Sequence, residues 1–465
     1  MTGFDARLFI ALIAGRIAGW ASRNLKRGGG TTLPGLIALR IDHRVLAKLS
    51  SRLPNGTILV TGTNGKTTTS RLLAATLSQS GESVIHNRSG ANLLSGITTA
   101  LLMQCSLTGR PHGNLAVFEV DEAVLPRVIE DVGPEIVMIT NLFRDQLDRF
   151  GEVDYLAGIW KKALGRLPTT STVILNMDDP TLASLGMNLA AQVIGYGIEA
   201  ENGHNLVVGS NADSKSCPVC GGALRYSRVQ YAHLGSYTCP NGDFERPSLD
   251  LAVTSLVQDG VDSTELEIKG PFGLRSWRIG LPGRYNGYNV LAAVSGAVTA
   301  GVSLEAIDKS IDNFHAAFGR FERIHAMNRI LCIVLVKNPV GFTEVVRTIL
   351  EESGDPNLAI LINDNLADGT DVSWLWDVDV EGLSKRCRHV IVGGARAGDM
   401  AVRLKYAGVP ADRIELVETV EQGIDRGLAG TPDGRTLYAL PTYTAMLELR
   451  AIAAKRHYAE SFWEA

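Results

Sequence analysis

The run Thr57-Ile58-Leu59-Val60, followed by Gly62-Thr63-Asn64-Gly65-Lys66-Thr67-Thr68-Thr69, decides how this chain is read. The apolar run predicts a strand and the segment from Thr68 to Gln79 predicts a helix, so a glycine-rich turn joins strand to helix. Such a turn binds phosphate. Its backbone N–H groups and the positive end of the helix cradle the anion, Lys66 reaches the outer phosphates, and the Thr67 hydroxyl ligates Mg2+. The spacing departs from the standard P-loop, which needs glycine at position 60, where this chain has Val60. An ordinary turn rarely needs two glycines, a lysine and four threonines together. Nucleotide binding is therefore expected, with Gly62, Thr63, Asn64, Gly65, Lys66, Thr67 and Thr68 around the phosphates.

Beyond the loop, Ser83 to His86, Asn114 to Val120, Glu135 to Thr140 and Thr172 to Leu175 read as short buried strands with helical segments between them. This is the α/β pattern of a parallel sheet, in which ligands sit at the carboxyl ends of the strands. Glu119, Asp121 and Glu122 end one strand; Asn141, Arg144, Asp145 and Asp148 end the next. Mg2+ takes oxygen ligands, and Glu119 is the preferred protein ligand opposite the loop. Any single acid here has a plainer use as a helix cap or solvated turn, above all Asp145 and Asp148.

The chain has 465 residues, 20% of them charged, and a net charge of −4. That length predicts two to four domains, and the charge excludes a general nucleic-acid binder. Six cysteines, three within residues 217 to 239 and the others (Cys105, Cys332, Cys387) in apolar surroundings, do not form a secreted disulfide framework. A reducing cytoplasm fits. The N-terminal Leu8-Phe9-Ile10-Ala11-Leu12-Ile13-Ala14 is too short to span a bilayer and predicts an amphipathic helix of about 18 residues. Docking on the protein's own core is the plain account; shallow membrane contact helped by Trp20, Arg23, Lys26 and Arg27 is the alternative. Gly28-Gly29-Gly30 and Thr31 to Gly35 then read as a linker.

Residues 217 to 242 look like an inserted module. Cys217-Pro218-Val219-Cys220 is half of a zinc knuckle and Cys239-Pro240 begins a second half, but Asn241 and Gly242 stand where a fourth thiolate belongs. Either His233 or Asp243 completes a structural site, or the module persists without metal. Further on, Asn286 and Asn289 lie three apart on one helical face before the apolar Val290 to Ala300, able to offer amides to a base or ribose. Arg320, in Gly319-Arg320-Phe321-Glu322, is suited to meeting a phosphate. Taken singly, each is more often a cap or a surface pair.

In their order along the chain these segments resemble Mur ligases, which share the Gly-Thr-x-Gly-Lys-Thr loop with folylpolyglutamate synthases. Thr32 to Gly35, the cysteine insert, Lys337-Asn338-Pro339, Asp368-Gly369-Thr370-Asp371-Val372-Ser373-Trp374 and Leu440 to Thr444 are similar to the MurT family, and the resemblance covers nearly all residues. It implies an N-terminal helix and linker (1–50), a central ATP-binding α/β domain with a parallel sheet (51–318, with a cysteine ribbon at about 210–246) and a C-terminal α/β domain (319–465). Gln146 stands where many Mur ligases place a metal-binding histidine. Lys161 and Lys162 lie near the family's carbamylated lysine, in uncertain register.

The implied activity is ATP- and Mg2+-dependent amidation of the D-glutamate α-carboxylate in the lipid II stem, through an acyl phosphate. No cysteine sits in a Gly-x-Cys-x-Gly elbow, so ammonia must come from another polypeptide; the resemblance implies a GatD-like glutamine amidotransferase whose histidine Asp371 orients. Asp371 has a plainer reading, since Asp-Gly-Thr-Asp is turn chemistry. A cytoplasmic enzyme, at most peripheral at the inner membrane face, is expected. Two other readings stand beside it: an amide ligase of the muramyl-peptide or folylpolyglutamate type that adds an amino acid, and a non-enzymatic nucleotide-binding scaffold.

Overall fold

The computed structural model describes residues 5–24, 31–87, 91–144, 152–200, 214, 216–314, 319–352 and 354–459. The first sheet has nine strands: β1 (Thr57–Thr61), β2 (Val84–His86), β3 (Leu115–Glu119), β4 (Ile136–Ile139), β5 (Thr172–Asn176), β6 (Gln192–Ile198) and, after the two-stranded hairpin β7 (Arg225–Tyr231) and β8 (Leu234–Thr238), the strands β9 (Leu251–Asp259), β10 (Ser263–Gly270) and β11 (Gly273–Ile279). Their order is β11-β10-β9-β6-β5-β4-β1-β3-β2. From β2 to β9 all neighbours are parallel, and β9, β10 and β11 extend the edge as an antiparallel meander.

The near-continuous apolar runs are explained by burial on both faces. Along β1, Leu59 enters one core with Phe118 and Val137, whereas Ile58 and Val60 enter the other with Val117 and Met138. After β1 the chain builds β2 and β3 on one side and then crosses to β4 on the other. That reversal is a switch point, and the crevice it opens holds the glycine-rich loop.

A second sheet follows: β12 (Arg320–Ala326), β13 (Arg329–Val334), β14 (Asn357–Leu361), β15 (Val390–Gly393), β16 (Ile414–Leu416) and β17 (Thr436–Pro441), in the order β12-β13-β17-β14-β15-β16. It is parallel except for β12 against β13, and it too is covered on both faces.

The N-terminus departs from the linker reading. Thr32 stands at the N-cap of the helix Leu33–Ile41, with Pro34 in its first turn, and a Cβ on Gly35 would lie 1.9 Å from Ser95 O. Thr31 to Gly35 is thus a packed helix start, because glycine lets this helix approach Leu94–Met103 closely. The first helix, Ala6–Asn24, inserts Leu8, Ala11 and Leu12 into the same core as Leu59 and Phe118.

Candidate active site

The loop is held from below by the end of β4. Asn141 Oδ1 accepts from Asn64 N at 2.8 Å, Asn141 Nδ2 donates to Asn64 O at 3.0 Å, and Thr63 exchanges hydrogen bonds with the Phe143 backbone. Gly62 takes φ +130° where a Cβ would lie 2.2 Å from Thr140 Oγ1. Gly65, at φ +86°, precedes the helix Lys66–Gln79, and a Cβ there would lie 2.0 Å from Asn289 Oδ1. Both glycines are therefore dictated by close approach as well as by backbone conformation.

Lys66 Nζ donates to Gly62 O at 2.6 Å and pairs with Glu122 Oε1 at 2.7 Å. Trp160 Nε1 donates to Glu122 O at 2.9 Å, fixing that acid's backbone. Glu119, the metal ligand preferred from sequence, is buried, its backbone clasped by the Asn87 amide and its Oε1 3.4 Å from Asn92 Nδ2. Burial lowers the Arg320 pKa, and the Glu119 charge opposes that shift. Burial, and the neighbouring Glu122 charge, raise the Asp121 pKa from its ordinary value.

A nucleotide fits these residues on two observations. Thr68 Oγ1, at the mouth of the helix, is buried without a hydrogen-bond partner, and the loop backbone opens onto a cleft lined by Asn64, Gly65, Asn286, Arg320, Lys337 and Asn338. Lys66, Thr67 and Thr68 would hold phosphate, and Thr67 with Glu119 would hold the metal.

The helix carrying the asparagine pair begins earlier than sequence periodicity indicates, spanning Arg284–Thr299, so Asn286 and Asn289 lie in its first turns. They bond to each other at 2.9 Å, and Asn286 Nδ2 also reaches Pro282 O at 2.6 Å. Asn289 braces the loop at Gly65, while Asn286 lines the cleft. Arg320 lines the opposite wall. Glu322 accepts from Gly319 N at 3.1 Å and pairs with Arg450, so the acid of the Gly-Arg-Phe-Glu motif fixes the turn that presents Arg320.

Sequence reasoning missed three contributors. Asn338 caps the helix Pro339–Leu350 and donates to Asn64 Oδ1 at 2.9 Å, joining the second sheet to the loop. Glu344 lines the same cleft; burial, outweighing Arg347 at 2.9 Å, pushes its carboxyl up to about 7. Tyr231, from the inserted hairpin, also lines it. The triplet Lys337-Asn338-Pro339 was the available signal for the first.

The hairpin's turn is driven into the protein. Asp178 is buried against Arg246 (2.5 Å), Tyr288 Oη (2.6 Å) and Ile198 N (2.8 Å), and Gly235 N donates to Asp178 O at 3.0 Å. His233 is fully buried at this turn, its Nε2 3.4 Å from Asp179 Oδ2 and its ring 4.8 Å from Phe143. It does not complete the cysteine site: the apolar turn that carries it is what the core swallows.

Cys217, Cys220 and Cys239 do converge, their sulfurs within 4.8 Å of one another, and Asp243 Oδ2 lies 3.9 Å from Cys239 Sγ. Lys161 and Lys162 are exposed on the helix Glu152–Leu164. Asp145, Gln146 and Asp148 lie outside the described residues; Arg144 stands half-buried at their edge.

Asp371 follows β14 in the chain, half-buried, ten residues beyond Leu361. Its Oδ1 accepts from Ser373 N at 2.8 Å, and that hydrogen bonding lowers its pKa. It precedes the short 3-10 turn Ser373–Asp377, whose N-cap is Val372; in the same region of the chain Leu366 and Trp376 are exposed. Asp368, by contrast, is buried and locked to Asn365 N and Thr444 N.

A glycine-rich loop at a switch point, facing a second doubly wound sheet, defines the Mur ligase fold. The chain aligns with a pseudomurein peptide ligase type C from Methanothermus fervidus at TM-score 0.64 (20% identity, 89% of this chain and 81% of that one). It also aligns with the MurF ligase of Thermotoga maritima in complex with ADP at 0.63 (13% identity, 90% and 85%). Residues 60–241 match the Mur ligase middle domain and residues 335–446 the MurT ligase C-terminal domain. The chain is 37% identical to the lipid II isoglutaminyl synthase (glutamine-hydrolyzing) subunit MurT of Streptococcus pneumoniae, covering 96% of this chain and 97% of that one. It is 34% identical to the same-named subunit of Staphylococcus aureus (95% and 96%). The chain belongs to the MurT family and is a ligase.

Proposed function

We propose that the chain is the synthetase subunit that amidates the α-carboxylate of D-isoglutamate in the lipid II stem. ATP phosphorylates the carboxylate, and ammonia displaces phosphate from the acyl phosphate to leave D-isoglutamine and ADP. Lys66 neutralises charge on the transferred group, Thr67 and Glu119 hold Mg2+, and Asn286 and Arg320 orient the nucleotide; the work is positioning and charge neutralisation. The observation that carries this reading is the loop itself, clamped by Asn141 and Asn289 with Lys66 aimed along it.

Ammonia from a GatD-like glutaminase is supported by the state of the six cysteines. Burial pushes Cys105 and Cys332 up to about 12 and Cys387 to about 11, so these remain thiols, and the other three form the cluster. The partner is proposed to dock on the segment that carries Asp371 and the exposed Leu366 and Trp376, Asp371 orienting its histidine. Cys217, Cys220, Cys239 and Asp243 are proposed to hold one structural zinc. The proposed division at about 318 lies between the two large sheets, whereas residues before about 50 share the core of the first sheet.

Co-expression with the glutaminase and mass spectrometry of lipid II is the test: conversion of one carboxyl to an amide is expected, and its absence with an active partner would remove the proposal. Amino-acid-dependent ADP release without amidation would favour the muramyl-peptide or folylpolyglutamate type instead.

A further inference from the structure

We infer that the N-terminal helix Ala6–Asn24 is a docking face for an anionic lipid surface. The helix is apolar on both sides. Leu8, Ala11, Leu12, Gly15 and Gly19 face the core, as expected. The opposite face carries Ile10, Ile13, Ile17 and Trp20, spaced three, four and three apart and therefore on one stripe. Ile10, Ile17 and Trp20 are 55, 60 and 65% exposed. A helix apolar all round belongs to a buried place or to a membrane, and in this fold nothing covers the outer stripe among the described residues.

The neighbouring helix Leu33–Ile41 widens the patch. Pro34 packs on Gly19, where a Cβ would lie 3.2 Å from Pro34 Cγ, and Leu33 and Leu36 are exposed beside it. No helix among the described residues is long and apolar enough to cross a membrane, so the face would lie along a surface.

Charge selects the occupant. Between Ala6 and Ile41 the sequence has Arg7, Arg16, Arg23, Lys26, Arg27 and Arg40 and no acidic residue, in a chain whose net charge is −4. An apolar stripe with tryptophan, in a segment whose charged residues from Ala6 to Ile41 are all cationic, matches the boundary between acyl chains and anionic headgroups. A second copy would oppose like charges across the contact. The inference rests on the proposed function in one respect, that the substrate is lipid-linked and must be met at a membrane face.

The experiment is sedimentation of the full chain with vesicles of phosphatidylcholine alone or mixed with phosphatidylglycerol. Binding to the mixed vesicles that weakens with salt is expected, with at least a tenfold loss in the Ile17→Glu, Trp20→Glu double variant. That variant should keep its melting temperature and its ATP-dependent amidation of a water-soluble muramyl-peptide substrate. Equal binding by variant and parent, or no preference for the anionic vesicles, overturns the inference. So does a dimer in solution that the variant splits. If vesicles bind as expected but the parent amidates neither the soluble substrate nor lipid II, the proposed function fails and the docking face stands.

Discussion

Lys66 is held between Gly62 O and Glu122, so its ammonium is already drawn along the loop toward the strand-end acids. Lys66→Ala should reduce ATP-dependent amidation by about 100-fold or more, the scale for loss of a preorganised charge contact; wild-type turnover would contradict the nucleotide assignment. Glu119→Ala should raise the Mg2+ concentration needed for half-maximal rate, whereas Glu122→Gln should act chiefly by releasing Lys66. A magnesium titration of both variants separates them, and an unchanged Glu119→Ala curve would transfer the metal role to Glu122. The loop was legible because phosphate binding forces a residue pattern. The clamp by Asn141 and the brace by Asn289 were not legible, since an asparagine that supports a loop and one that touches a ligand read alike in sequence.

Among the elements, the inserted hairpin shows most clearly how sequence and structure divide the information. Its cysteines announced a knuckle, but spacing could not say that the turn at Ala232 and His233 would be buried, because that depends on the pocket around Asp178 and Phe143. Arg246→Ala should destabilise the fold by about 3–5 kcal/mol, the cost of leaving a buried charge without its partner; an unchanged thermal midpoint would contradict the burial of Asp178 as a carboxylate. The insert should bind at most one zinc per chain, with Asp243→Ala lowering occupancy in elemental analysis. Chelation should leave ATP turnover largely intact, because Arg246, Tyr237 and Asp178 dock the hairpin without metal. Two zincs per chain, or loss of ATP binding after a mild chelator, would contradict it. Thr31 to Gly35 reads as linker in sequence because Pro34 and Gly35, ordinarily breakers, here serve as a first-turn residue and a packing contact of the helix Leu33–Ile41.

Across the whole molecule, Asn338 and Glu344 bring the second sheet to the loop, a juxtaposition that no local pattern encodes across 274 residues of sequence between Asn64 and Asn338. Glu344 also makes a pH signature. Below the ordinary carboxylate range the group is protonated folded or unfolded; between about 4.5 and about 7 only the folded chain keeps the proton. Stability from this group therefore falls as pH rises through that window, by up to about 3 kcal/mol. Melting curves of the parent should show that decline relative to Glu344→Gln, and parallel curves would contradict it. Asp371→Asn should cut glutamine-driven amidation by orders of magnitude while ammonium salts restore it. Equal loss with both nitrogen sources would assign Asp371 to the synthetase site or the fold; no loss with either would leave it a turn former, and Asp368, locked to Thr444, offers no replacement.

The central claim is tested most directly by supplying the co-purified complex with ATP, lipid II and glutamine carrying heavy nitrogen in its amide, then fragmenting the product by mass spectrometry. The label is expected in the α-amide of the D-glutamyl residue, dependent on ATP and absent with Lys66→Ala. ATP turnover with the carboxylate unchanged, or an added amino acid in place of the amide, would contradict it.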